Sequence, residues 1–140
     1  MTRRSPGPPR PGGRARLLVV DGANVVGSRP DGWWRDRAGA AGRLAAQLAE
    51  AGRAGSLTSL GDRVLLVLEG AAKRAELPED LDVLLAPADG DSAMVELAHD
   101  LGERDEDVCV VTADRQLTRL LHAVGATTVK PGTLLALLDH

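Results

Sequence analysis

Short, unbroken apolar runs alternate along this chain with longer stretches in which apolar residues recur every three or four positions. The runs are Arg16–Val20 (RLLVV), Arg63–Leu68 (RVLLVL), Asp82–Ala86 (DVLLA), Asp107–Thr112 (DVCVVT) and Ala126–Val129 (ATTV). A strand with one wet face would alternate polar and apolar residues. These do not, so they predict strands buried on both faces, as in a parallel sheet covered by helices. The segment 38–51 places Ala41, Leu44, Ala45 and Leu48 on one helical face, with Gly52 as its expected stop. Met94, Leu97, Ala98 and Leu101 share a face of a helix over 92–101 that Gly102 should end. Leu117, Leu120, Leu121 and Val124 do the same over 115–124, before Gly125. A single helical turn over Ala71–Glu76 precedes Pro78, residues 55–61 read as a loop, and Pro131 opens a last helix that runs to Leu138. Strand–helix alternation with right-handed crossovers predicts a three-layer α/β sandwich.

With 140 residues the chain is one domain. Residues 1–14 hold four of the eight prolines and three glycines, and are expected to form a disordered basic arm before a folded domain at 15–140. Arg3, Arg4, Arg10, Arg14 and Arg16 lie in the first sixteen residues without an acid, so the net charge of -3 conceals a body with 12 basic and 20 acidic residues, or -8. Such a body does not bind nucleic acid through bulk charge. It does suit a cluster of carboxylates whose field is reversed by bound cations. Cys109 is the only cysteine, which excludes an internal disulfide and argues against a thiolate zinc cage. No apolar run approaches the roughly 18 residues of a membrane span, and Leu17–Val20 is shorter than the roughly 7–15-residue core of a secretory signal. A cytoplasmic location is expected.

Ligands of open parallel sheets sit beyond the carboxyl ends of the strands. Each of the first four runs ends in an acid there: Asp21 in DGAN, Glu69 before Gly70, Asp91 after Ala88-Asp89-Gly90, and Asp114 after Thr112-Ala113. Singly, Asp21-Gly22 could be a turn, Asp91 and Asp114 could be helix N-caps, and Glu69 could be a surface residue. Together, four acids at one edge with no basic run beside them cost stability unless a cation sits among them. Oxygen ligands without a thiolate or a histidine pair point to Mg²⁺ or Mn²⁺.

The stretch Leu17–Val26 (LLVVDGANVV), with Gly90-Asp91 opening one helix and Thr112-x-Asp114 another, resembles the NYN domains, a branch of the PIN-like metal-dependent ribonucleases. The segment 27–37 (GSRPDGWWRDR) is similar to a bacterial subgroup of them. The resemblance spans about residues 16–139. It implies a parallel five-stranded sheet of order 3-2-1-4-5, with Asp21 and Asp114 on neighbouring strands. It implies Asp21, Asp91 and Asp114 as metal ligands, and Asn24 as a residue that orients a ligand or touches the scissile phosphate. Two positions depart from the pattern. Glu69 stands where many relatives carry Asp, and Asp91-Ser92 where they often carry Asp-Asp; Asp89 is a substitute candidate.

The expected activity is hydrolysis of RNA, single-stranded or structured, by cation-activated water, with Glu69 as a fourth or water-directing carboxylate. Trp33 and Trp34, the only aromatics, could stack unpaired bases or plug the first loop. Arg29, Arg35 and Arg37 could clamp a phosphate or pair with Asp31 and Asp36. Arg115 and Lys73 could reach a phosphate or be solvated. His99 and His122 fall away from the strand ends, and Cys109 reads as a core residue. Two other functions use the same residues: a nucleotide pyrophosphohydrolase, and a non-catalytic RNA-binding module with a degenerate site.

Overall fold

A computed structural model describes residues 15–139. The expected basic arm at 1–14 lies outside them. Five parallel strands, β1 (Arg16–Asp21), β2 (Arg63–Leu68), β3 (Asp82–Leu85), β4 (Asp107–Val111) and β5 (Thr127–Val129), form one sheet of order β3-β2-β1-β4-β5. Central β1 pairs with β2 from Leu17↔Arg63 to Asp21↔Val67, and with β4 from Arg16↔Asp107 to Val20↔Val111.

The unbroken apolar runs are explained by two cores. Successive side chains of a strand point to opposite faces. Leu18 and Val20 of β1, with Leu66, Leu68, Cys109 and Val111, pack under α1 (Gly22–Gly27), α2 (Arg37–Ala54) and α5 (Pro131–Leu138). Leu17 and Val19, with Val67, Val108 and Val110, pack under α3 (Gly90–Glu103) and α4 (Arg115–Ala123). Leu18, Leu44, Leu66 and Leu121 are fully buried, each contributing on the order of 1.5–3 kcal/mol of transfer free energy. Cys109 is a buried core residue, as its place in the run suggests.

Helix boundaries differ from expectation in instructive ways. Gly52 does not stop α2; the helix continues to Ala54, and Gly55 ends it with φ +74°, the left-handed conformation that suits glycine. Asp36 caps its start through the Gly39 N–H. Gly102 likewise lies inside α3. That helix starts at Gly90 rather than Ser92, so its N-cap is Asp89, and Asp91 is left in the first turn. Gly125 follows α4 with φ +88°, where the pattern places a stop. Pro131 occupies the first turn of α5. Residues 70–74 form a 3-10 turn. Short α1 is not anticipated by the pattern, because Val25 and Val26 carry little helix preference.

Candidate active site

Strand order reverses at β1: β2 and β3 lie on one side of it, and β4 and β5 on the other. The crevice of such a sheet opens beyond the carboxyl ends of β1 and β4. Asp21 ends β1 there and is 7% exposed. Its Oδ1 accepts a hydrogen bond from the Asn24 N–H (3.3 Å), which caps α1, and its Oδ2 accepts from the Thr112 hydroxyl (2.9 Å). Burial pushes its pKa up from 3.8 to about 6. The two hydrogen bonds pull it down, and the negative charges of Asp91 and Glu69 push it further up.

Thr112 is a hub. Besides donating to Asp21, its Oγ1 accepts from the Asp114 N–H (3.2 Å). Asp114 in turn caps α4 through the Leu117 N–H (2.9 Å). Asn24 joins the same junction, its Oδ1 accepting from the Ala113 N–H (2.8 Å). The β1–α1 and β4–α4 turns are thereby stitched together by two hydrogen bonds that span 91 and 89 residues. Sequence reasoning finds Thr112 only as one end of a Thr-x-Asp spacing. A lone polar residue between a buried strand and a capping aspartate is the signal available for its role.

Glu69 follows β2 and turns its Oε2 to accept from the Gly90 N–H at 2.6 Å. Gly90 has to be glycine for this approach, since a Cβ there would stand 2.5 Å from that oxygen. Gly22 is more tightly bound to its surroundings: a Cβ would meet the Val67 carbonyl oxygen at 2.6 Å. Among the described residues, the Asp91 carboxylate has no hydrogen-bonding or ion-pair partner. Its pKa is raised by partial burial first, then by the charges of Asp114, Glu69 and Asp89. Asp89 itself is exposed and occupied as a cap, receiving the Ser92 N–H (2.7 Å) and hydroxyl (3.2 Å), which hold its pKa down.

The fold therefore brings Asp21, Glu69, Asp91 and Asp114 into one electrostatically coupled group. The donors are hard oxygens, the chemistry that Mg²⁺ and Mn²⁺ prefer. Among the described residues, no group of three or more His, Cys, Asp or Glu side chains is arranged to hold a metal ion. Mg²⁺ is usually bound by one or two carboxylates and completes its shell with water and substrate phosphate, so it does not require such a group.

Of the basic and aromatic candidates, Trp33, Trp34, Arg35 and Arg37 form one cluster. Trp33 is half-buried against the α1–α2 core, while Trp34 is 56% exposed; their rings meet edge to face at 6.0 Å. Arg35 lies over Trp34 at 5.9 Å and Arg37 over Trp33 at 5.1 Å. Neither they nor Arg29 pairs with Asp31 or Asp36. Asp31 meets Arg43 at 3.7 Å, Asp36 caps α2, and Arg29 donates to Gln47 at 2.6 Å. Arg115, the first residue of α4, is exposed. Lys73 donates to the Ala86 carbonyl (3.0 Å) rather than reaching outward. His99 contacts Asp100 and Glu103, and His122 contacts Thr128, all on the exposed surface.

Order, register and site define an open three-layer α/β protein with its crevice at the β1–β4 junction. The chain is similar to the crystal structure of Rae1 (YacP) from Bacillus subtilis, with a TM-score of 0.67 and 20% identity over 88% of this chain and 73% of that one. It is equally similar to a mutant of the same protein, with a TM-score of 0.64 and 22% identity over 89% and 75%. At these identities the likeness is one of fold. No family model and no curated protein matches the sequence. No helix among the described residues is long and apolar enough to cross a membrane.

Proposed function

We propose that this protein is a metal-dependent ribonuclease of the NYN type that hydrolyses phosphodiester bonds of RNA at the acidic end of its sheet. The observation that carries the reading is the like-charge coupling of Asp91 with Asp21, Glu69 and Asp114, Asp91 having no countercharge of its own among the described residues. The fold shared with Rae1 (YacP) and the Asp21-x-x-Asn24 opening support it.

Asp21, Asp91 and Asp114 are the residues that would hold Mg²⁺ or Mn²⁺, with Glu69 beside them. A divalent cation held there would supply acidified water and would offset charge growing on the phosphoryl oxygens. The chain's own residues prepare the place. The Thr112 hydroxyl holds the Asp21 carboxylate while it anchors the Asp114 backbone. Asn24 fixes the Ala113 peptide, which makes it a positioning residue in this structure. The Gly90 N–H anchors one oxygen of the Glu69 carboxylate. Exposed Arg115, next to Asp114, and Arg35 with Trp34 can meet an incoming strand.

The test is Mn²⁺-dependent cleavage of single-stranded RNA by wild type and by Asp91→Asn. Loss of cleavage in a folded variant is expected; unchanged cleavage overturns the assignment. A second reading, an RNA-binding module without catalysis, is favoured by the lack of a ready three-ligand group among the described residues. Calorimetry separates the two, because the module would not bind Mn²⁺ at millimolar concentration. Nucleoside triphosphates offered beside RNA separate the pyrophosphohydrolase.

A further inference from the structure

A cleft of about 190 Å³ opens beside the carboxylates, between α1, the Trp33–Arg37 segment and the turn after β2. Its walls are chemically divided. Val26, Ala72 and the Trp33 ring are apolar, whereas Arg37 and Glu69 are charged. The cleft is lined by Glu69 and by Gly22, the residue after Asp21, so it borders the acidic end of the sheet. The Trp33 ring is braced from two sides, by Trp34 edge-on and by the Arg37 guanidinium at 5.1 Å. Its volume is below the roughly 300–1,000 Å³ typical of drug-sized ligands, and suits one flat heterocycle.

We infer that this cleft seats a single unpaired nucleobase of the RNA strand, packed against Trp33 and Arg37. Aromatic rings and guanidinium planes are the usual partners of splayed-out bases, and they accept any base because every base has a π face. Because Glu69 is one of its walls, a base in the cleft would lie beside the acidic end of the sheet. The inference rests on the ribonuclease reading for its biological meaning. It assigns to Trp33 a recognition role distinct from that of exposed Trp34, whose ring stands outside the cleft walls.

The test uses the full chain and ligands without phosphate, adenosine and cytidine, in buffer free of divalent cations. The chain has two tryptophans and so two indole N–H resonances, which Trp34→Phe assigns. Adenosine and cytidine should shift the Trp33 resonance in a saturable way, and ribose should not. Ala23→Leu, an exposed position on the cleft wall, should fill the space without disturbing the core and abolish the shift. In RNA cleavage the same variant should raise KM by about 5- to 100-fold, the range expected for losing one stacked base, with kcat retained. No shift with either nucleoside, or an undiminished shift in Ala23→Leu, overturns the inference. If wild type fails to cleave RNA while adenosine still perturbs Trp33, the ribonuclease reading falls and the cleft stands. If RNA is cleaved with the same KM by Ala23→Leu, the cleft falls and the ribonuclease stands.

Discussion

Replacing Asp21 by asparagine should stabilise the fold while removing a carboxylate of the proposed metal site. Burial raises the Asp21 pKa from 3.8 to about 6, so the folded chain holds this proton more tightly than the unfolded chain does. The sign is opposite to that of a salt-bridged acid. Below pH 3.8 both states are protonated and Asp21 costs nothing. As pH rises toward 6 the native state alone resists ionisation, stability falls, and above pH 6 the full penalty is present. At 1.36 kcal/mol per pH unit, the gap corresponds to about 3 kcal/mol. An asparagine oxygen can still accept from the Thr112 hydroxyl, but its amide cannot accept from the Asn24 N–H, a loss of about 1 kcal/mol. Asp21→Asn should therefore gain about 2 kcal/mol at about pH 7.5, a rise in Tm of roughly 6 °C, and lose about 1 kcal/mol near pH 3.5, where no ionisation penalty remains to be relieved. Urea denaturation of both chains across roughly pH 3.5–8, in chelator, measures the difference. A variant less stable than wild type at the upper end of that range, or one whose advantage is independent of pH, would refute the argument that this carboxylate is held at a cost.

Thr112→Val keeps the side-chain shape but strips Asp21 of a donor and the Asp114 N–H of its acceptor. It should cost about 2–3 kcal/mol near neutral pH by urea denaturation and move the stability transition of Asp21 to higher pH. Asn24→Ala frees the Ala113 N–H, whose amide exchange should accelerate relative to its neighbours, while cleavage falls in parallel. Gly22→Ala drives a Cβ against the Val67 carbonyl, a backbone atom, and should destabilise by about 1–3 kcal/mol or more. Gly90→Ala meets only the end of the flexible Glu69 side chain; it should leave Tm nearly unchanged yet lower cleavage by displacing that carboxylate, and a large drop in Tm would contradict this.

The strands are legible because both faces of the sheet are covered, which turns each into a plain apolar run. Sheet order is not contained in those runs and comes from the resemblance. Helix ends are misplaced where a glycine's identity alone is taken for a stop. Gly52 and Gly102 sit in helical backbone, whereas Gly55 and Gly125 adopt positive φ, a distinction set by the path the chain takes after each glycine. Asp89 rather than Asp91 caps α3, and that two-residue difference frees Asp91 from capping, leaving it coupled to the charges of Asp114 and Glu69. The convergence of the acids at strand ends follows from the α/β pattern itself. The Thr112 hub and the Asn24–Ala113 bond depend on side-chain directions across a turn, which spacing alone does not encode.

The bond between Thr112 and Asp21 spans 91 residues, and β4 fills the second edge of β1 only after Asp107 has been synthesised. A nascent chain can build the β1–β2–β3 half from local crossovers. It still lacks the hydroxyl, the peptide and the fourth carboxylate that complete the pocket. The candidate site is thus completed only when β4 docks on β1, and shortened chains ending before Thr112 should fail to hold the Asp21 carboxylate however well their first half folds.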